Sequence, residues 1–206
     1  AAMAGQSFTE ALREASGHTG FWLLTAGYFV CGFQLSFIGT HLPAYLVDNG
    51  VGAEYGAWAL ALIGLFNVAG SFTAGVLGGR RRKKYLLSGI YFARAVVVAA
   101  FVLVPLSGLT VVLFACAIGL LWLSTVPLTT GLVGQIFGIR YLGMLSGVVF
   151  FSHQLGSVSG VWLAGLLFDR TGSYDVVWWL SVALALFAAA VNYPIDDRTV
   201  VRTAAA

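Results

Sequence analysis

The chain has 206 residues, of which 59% are hydrophobic and only 9% are charged. Ordinary water-soluble domains carry about 25% charged residues, so this composition excludes an aqueous domain and indicates a membrane protein. The formal net charge of +3 comes from a few clustered cations, which are better read as signals of membrane topology. We therefore expect membrane lipid around the chain and no nucleic-acid partner.

Residues 1–19 precede the first long apolar segment and carry Glu10, Arg13, Glu14 and His18 among Ala, Gly and Ser. This pattern predicts either a cytoplasmic linker or a helix at the membrane interface. The apolar segment after it has about twenty residues and no small-residue cleavage site, which indicates a retained helix and not a signal peptide.

Six apolar segments are predicted to span the membrane: 20–40, 55–77, 85–105, 109–136, 142–167 and 176–193. At about 1.5 Å per residue, these segments reach roughly 27 to 42 Å. Pro127 should kink the fourth, because proline has no N–H to donate. Nine of the eleven Lys and Arg residues fall on the side of residue 1, against Arg170 alone on the other side. This bias predicts that both termini are cytoplasmic.

The chain repeats itself after ninety residues. Residues 74–80 correspond to residues 164–170, Val68 corresponds to Val158, and Gly70 corresponds to Gly160. Three predicted spans separate the two copies, so the copies emerge on opposite faces of the membrane. We therefore predict two inverted three-helix repeats, 20–105 and 109–193, followed by a tail at 194–206.

Small and polar residues recur at near-helical spacing on the second and fifth spans. They are Gly64, Asn67, Ser71 and Ala74 on one, and Gln154, Ser157, Gly160 and Ala164 on the other. In lipid, such stripes let helix backbones pack closely. The alternative is that the two small faces slide against each other during a conformational change.

Three stretches carry a family resemblance: Gly75-x-Leu77-x-Gly79-Arg80 with its basic tail, residues 137–143, and residues 165–174. With them the sequence resembles, over residues 5–200, the C-terminal six-helix half of a major facilitator superfamily transporter. In these motifs it is most similar to bacterial monocarboxylate and oxalate/formate carriers. The resemblance assigns gating and topology roles to the loop residues Gly75, Arg80, Arg81, Arg82, Asp169 and Arg170.

Two departures from the family pattern matter. The family's cytoplasmic turn carries an aspartate where this chain has Gly79, and a second glycine where it has Arg82. Without the aspartate, the usual contacts of that turn cannot form. In addition, family members resemble two such halves facing each other across a cavity. We therefore expect a second six-helix unit as partner, either another copy or a complementary half.

Polar residues within the spans are costly in lipid and are the candidates for a solute or proton pathway. Arg94 in the third span is read either as an anion-binding cation or as a partner of helix-end carbonyls. His153, beside Gln154 in the fifth span, is read either as a proton-linked or anion-binding imidazole or as a neutral histidine bonded to a carbonyl. Asn67 completes this group.

The first and fourth spans carry further candidates. Cys31, Gln34 and His41 share one face of the first span, so Gln34 is predicted either to line a cavity or to form an interhelical hydrogen bond. Trp122, near Pro127, is predicted either to stack on a solute or to pack. The resemblance independently assigns both of these helices to the cavity.

The sequence contains no His-Glu-x-x-His, no Cys-x-x-Cys, no phosphate-binding glycine loop and no pair of acidic residues within the spans. We therefore expect neither an enzyme nor a resident cofactor. We predict a half-unit of a proton-coupled symporter that moves a small organic solute, with a monocarboxylate as the candidate, by alternating access. The alternative is a six-helix scaffold or structural fragment without transport of its own. The start Ala1-Ala2-Met3, and an end at 202–206 that resembles a vector remnant, favour some truncation.

Overall fold

The computed structural model describes residues 6–201, and these residues form an all-helical bundle, as predicted. The helices are α1 (Phe8–Ser16), α2 (Thr19–Asp48), α3 (Ala53–Arg80), α4 (Lys83–Leu103), α5 (Gly108–Leu121), α6 (Thr125–Phe137), α7 (Leu142–Thr171) and α8 (Asp175–Asn192). The predicted fourth span therefore consists of two helices, α5 and α6, which meet at a break just before Pro127.

Within the described residues, five segments are long and apolar enough to cross a membrane: α2, α3, α4, the α5–α6 pair and α8. The predicted fifth span, α7, is not among them although it has 30 residues. Polar side chains such as His153 and Gln154 lower its mean hydropathy. It still packs along α2 for much of its length, which keeps it within the same bundle.

A short amphipathic helix precedes the bundle. Ser7 begins α1 with a capping box, in which the Ser7 amide donates to the Glu10 carboxylate (2.7 Å) and Ser7 Oγ accepts from the Glu10 amide (3.4 Å). These bonds satisfy two otherwise free amides at the helix start. Ala11 and Ala15 of α1 are buried.

The internal repeat is visible in the helix packing. A Cβ built on Gly70 of α3 would overlap the carbonyl of Leu120 in α5, and a Cβ built on Gly160 of α7 would overlap the carbonyl of Phe33 in α2. The α3–α5 and α2–α7 pairs are therefore packed through equivalent glycines, ninety residues apart. Because α4 packs on α8, exchange of the two repeats maps the bundle onto itself.

The helices differ in how much of their surface is covered. The middle of α2 is enclosed by its neighbours, whereas α3 and α7 each leave a broad apolar face uncovered. The repeat partners Val68 and Val158 are both 69% exposed, and Phe72 and Trp162 lie on the same faces. These two helices hold the small, close-packing residues on one side and large exposed side chains on the other.

Candidate functional site

The break between α5 and α6 organises the polar interior. Pro127 cannot donate a backbone hydrogen bond, and its ring clashes with the carbonyl four residues earlier, so the helix cannot continue through Leu123. α5 ends at Leu121 and α6 begins at Thr125. The break leaves the carbonyls of Leu121 and Trp122 and the amide of Leu123 in need of partners from other helices.

Arg94 of α4 provides donors for the two carbonyls. Its side chain is fully buried, and its Nε and Nη2 donate to the Leu121 carbonyl at 3.2 and 2.6 Å. Nη2 also donates to the Trp122 carbonyl, and Nη1 lies 3.4 Å from Cys31 Sγ. The guanidinium thus sits at the negative end of the α5 dipole, where a cation is favoured. Of the two readings of Arg94, this geometry corresponds to the pairing with helix-end carbonyls.

Asn67 of α3 provides the acceptor for the remaining amide. Its Oδ1 accepts from the Leu123 N–H at 2.9 Å and from Ser71 Oγ at 3.1 Å. Asn67 was predicted as a pathway residue, and the sequence did not indicate this capping role. The sequence feature that could have indicated this role is the position of a polar residue, Asn67, on a helix next to the one that Pro127 was predicted to kink. The break is therefore fixed from two sides, by α3 and by α4.

Trp122 lies within the break itself. Its backbone carbonyl accepts from Arg94. Its side chain is half-buried between two groups of buried apolar side chains, one that includes Tyr28 and Leu132 and one that includes Phe37 and Trp178. This environment matches the packing alternative for Trp122.

His153 of α7 extends the polar interior toward the uncovered face. Cys31 Sγ lies 3.3 Å from Thr125 Oγ1 at the start of α6, and the half-buried His153 interacts with the same thiol. The His153 ring lies 5.0 Å from the ring of Tyr28, and its Nδ1 lies 3.2 Å from Gln154 Oε1. Gln154 is exposed on the outer face of α7. His153 therefore connects the network around Arg94 with that face. Sequence reasoning did not place Thr125 or Tyr28 in this group.

Gln34 lies elsewhere in the bundle. It is buried between α2 and α8, and its Nε2 donates to the carbonyl (3.0 Å) and to Oγ (3.1 Å) of Ser181. His41 is held at the end of α2 by Tyr174 Oη at 3.2 Å and the Val161 carbonyl at 3.1 Å. Gln34 therefore forms an interhelical hydrogen bond, and its side chain is buried between the two helices. The physical reason is that α8 occupies the space beside this face of α2.

The basic loop between α3 and α4 has a partner that the sequence did not indicate. Asp197 of the tail accepts two bonds from Arg82, at 3.1 Å from Nε and 2.5 Å from Nη2. These bonds hold the pKa of the Asp197 carboxyl below its ordinary value. The buried Lys84 donates to the Ile195 carbonyl at 2.6 Å. The tail thus provides the carboxylate that the loop lacks at Gly79.

Two residues that were predicted in this loop, Gly75 and Arg80, lie within α3, because the helix continues to Arg80. A Cβ on Gly75 would meet no atom within 4 Å, so this glycine makes no close packing contact. Arg80 and Arg81 are exposed. The tail residues just after α8, predicted as a cytoplasmic extension, pack onto the bundle: the Val200 amide donates to the Ile136 carbonyl at 2.9 Å.

The loop at the opposite end closes α7. Gly172 adopts a left-handed conformation (φ 68°), which ends the helix and which favours glycine. Phe168 and Tyr174 stack at 4.5 Å across this turn. Asp169 and Arg170 are exposed beside it. The turn thus has a structural reason for its glycine and its aromatic pair.

The comparison with known proteins gives the family. Residues 24–206 match the Major Facilitator Superfamily. The chain belongs to this family. The resemblance seen in the sequence is thereby confirmed, and the apolar helices together with the family make the chain an integral membrane protein.

Several curated relatives are similar along most of the chain. An uncharacterized MFS-type transporter of Bacillus subtilis, YcxA, is 27% identical over 183 residues, which are 82% of this chain and 44% of that protein. Monocarboxylate transporter 12-B of Danio rerio is 29% identical and is covered over 38% of its length. A hexuronate transporter of Bacillus subtilis is 29% identical, with 81% of this chain and 42% of that protein covered. The chain spans less than half the length of each of these relatives.

Proposed function

We propose that this chain is one half of a secondary transporter that moves a small organic solute by alternating access, coupled to protons. The observation that carries the proposal is the broken helix, held by Arg94 and Asn67, with His153 between it and the uncovered face of α7. Discontinuous helices near the membrane centre are where transporters of this type bind solute and coupling ions. The family supports transport as the activity, and an enzymatic role has no support in it.

An organic carboxylate is the solute class we propose. Two of the similar proteins are named for monocarboxylates and for a hexuronate, which are carboxylic acids. Arg94 is already bound by carbonyl oxygens, so the group we assign to proton exchange and solute contact is His153. An imidazole exchanges protons near neutral pH and donates a hydrogen bond to an anion in its charged form.

A second six-helix unit is part of the proposal. The uncovered faces of α3 and α7 carry Val68 and Val158 together with the exposed Gln154. A unit packed on them would enclose His153 and Gln154 in a shared cavity. We propose a second copy, related by a two-fold axis along the membrane normal, as the form that this chain adopts alone; a complementary half is the other form.

We also propose the orientation and the membrane. The basic loop after α3, Arg140 before α7 and the tail lie at one end of the bundle, and Arg170 lies at the other. By the positive-inside rule we propose that the basic end is cytoplasmic and that both termini lie on that side. The membrane we propose is the bacterial inner (plasma) membrane, because two of the similar proteins are from Bacillus subtilis.

The second candidate function is a six-helix structural fragment without transport. Its support is that the chain covers only 38 to 44% of the relatives named above. The two candidates are separated by uptake of a labelled monocarboxylate into proteoliposomes that contain only this chain and hold an inward proton gradient. Uptake above that of empty liposomes, reduced in His153→Gln but retained in Arg198→Gln, which removes an exposed cation of the tail, supports the transporter. Uptake equal to that of empty liposomes at every protein density supports the fragment.

A further inference from the structure

A groove between α3 and α4 opens at the basic end of the bundle. Near that end it is lined by Leu77, Arg81, Arg82, Tyr85 and Leu86. From there it continues inward as an apolar cavity of about 260 Å³, which reaches the level of the α5–α6 break. Leu77 and Leu86 line both parts, so the two parts form one surface.

The charge at the mouth of this groove is uncompensated. Arg82 is paired with Asp197. Between residues 6 and 201, no acidic side chain forms an ion pair with Arg81. Arg81 is also exposed, and its position follows directly from the end of α3 at Arg80. A guanidinium at this position favours an anion with oxygen acceptors.

The depth of the groove matches one leaflet. Eleven residues separate Gly70, at its inner end, from Arg81, at its mouth, which is about 16 Å along a helix. One leaflet is half of a hydrocarbon core of about 30 Å. The half-exposed Tyr85, whose ring lies 5.2 Å from the Arg82 guanidinium, sits where interfacial aromatic residues are common.

We propose that this groove binds one anionic phospholipid, with the headgroup phosphate on Arg81 and one acyl chain along Leu77 and Leu86 toward the break. The charge selects the headgroup, and the apolar floor accommodates the chain. Basic pockets between membrane helices on the cytoplasmic side bind anionic headgroups by the same chemistry. The site is separate from the His153 face and does not depend on whether the chain transports a solute.

A second groove in the bundle provides an internal comparison. It lies between α4 and α5 at the opposite end, has a similar volume of about 260 Å³, and is lined by residues that include Val97, Ala100, Thr110 and Leu113. None of these lining residues is charged. Lipid in this second groove should not distinguish one headgroup from another.

The test measures thermal unfolding of the detergent-purified chain with added phosphatidylglycerol or phosphatidylcholine of the same acyl chains. We expect phosphatidylglycerol to raise Tm more than phosphatidylcholine does. Arg81→Gln and the groove-filling Thr73→Trp should lose most of that difference. The controls Arg170→Gln, a cation removed at the other end, and Ala100→Trp, which fills the uncharged groove, should keep it.

Four results would overturn the proposal. One is an equal Tm with the two lipids in the unsubstituted chain. Another is an equal loss in Arg81→Gln and Arg170→Gln. The third is a full effect from soluble glycerol phosphate, because this would show an anion site that needs no acyl chain. Native mass spectrometry gives the last of these results. If Thr73→Trp retains as much phosphatidylglycerol as the unsubstituted chain, the lipid does not bind in the groove.

Discussion

The Leu121 carbonyl accepts two hydrogen bonds from Arg94, at 2.6 and 3.2 Å, in a part of the bundle that excludes solvent. This contact explains why an arginine is tolerated inside the third span. The break at Leu121 provides carbonyl oxygens without helical partners, and the planar guanidinium matches them with several donors at once. The arginine and the break therefore stabilise each other.

Arg94→Gln should destabilise the fold strongly. It removes the charge and most of the donors that the Leu121 and Trp122 carbonyls use, at a cost on the order of 3 kcal/mol, since hydrogen bonds to charged groups contribute roughly 1.5 to 3 kcal/mol each. Arg94→Lys keeps the charge but lacks the planar guanidinium. Its free energy of unfolding should therefore lie between those of the unsubstituted chain and Arg94→Gln. The measurement is the unfolding free energy in mixed micelles. Arg170→Gln removes an exposed cation and is the control. Equal stability of Arg94→Gln and that control would exclude the capping role.

Gly70→Ala should separate α3 from α5. Its Cβ would overlap the backbone carbonyl of Leu120, which cannot rotate away, and overpacking of this kind costs roughly 1 to 3 kcal/mol. Gly64→Ala on the same helix is the matched control, because a Cβ there meets no atom within 4 Å. That substitution should be neutral or stabilise by up to about 1 kcal/mol through helix propensity. The measurement is the melting temperature of the two variants in one detergent. Gly160→Ala, whose Cβ would overlap the Phe33 carbonyl, should lower the melting temperature by an amount similar to that of Gly70→Ala. A neutral Gly70→Ala would contradict the packing.

Asp197→Asn should loosen the tail. Arg82 is 54% exposed on its side chain, so the pair contributes only weakly to the stability of the fold, as exposed ion pairs do. The Val200 amide, bonded to the Ile136 carbonyl, reports the loss as a few-fold lower protection from hydrogen exchange. Asp196→Asn, at an exposed pair with Arg198, is the control and should leave protection unchanged.

The same contact has a defined pH dependence. The pKa of Asp197 is lowered, chiefly by the hydrogen bonds from Arg82, so its contribution is present above the ordinary carboxyl pKa of about 3.9. It is lost as the pH falls through the lowered native value. Protection of Val200 in the unsubstituted chain should therefore fall in acid, whereas that of Asp197→Asn should lack this step. An identical acid response in both chains would show that the Asp197 carboxylate does not hold the tail.

Local patterns were sufficient for the helices and for the repeat. Apolar length placed the spans, the ninety-residue offset predicted the equivalent glycines, and Pro127 marked the position of the broken helix. The partners of polar residues depended on which helix lies next to which. Helical spacing placed Gln34 on one face of α2, yet only the packing shows that α8 and Ser181 lie against that face. Asp197 lies 115 residues from Arg82, and no local pattern links the two.

In the proposed transporter, a second six-helix unit covers the outer faces of α3 and α7, and a second copy is the form available to the isolated chain. Single cysteines at Val158 on α7 and at Val96 on α4, which are 69% and 52% exposed, test it in proteoliposomes with a short thiol cross-linker. The background carries Cys116→Ala, and Cys31 remains because it is buried. We predict a cross-linked product of two chains for Val158→Cys and little for Val96→Cys. A Val158→Cys chain that stays monomeric, or equal cross-linking from the two positions, would contradict this arrangement.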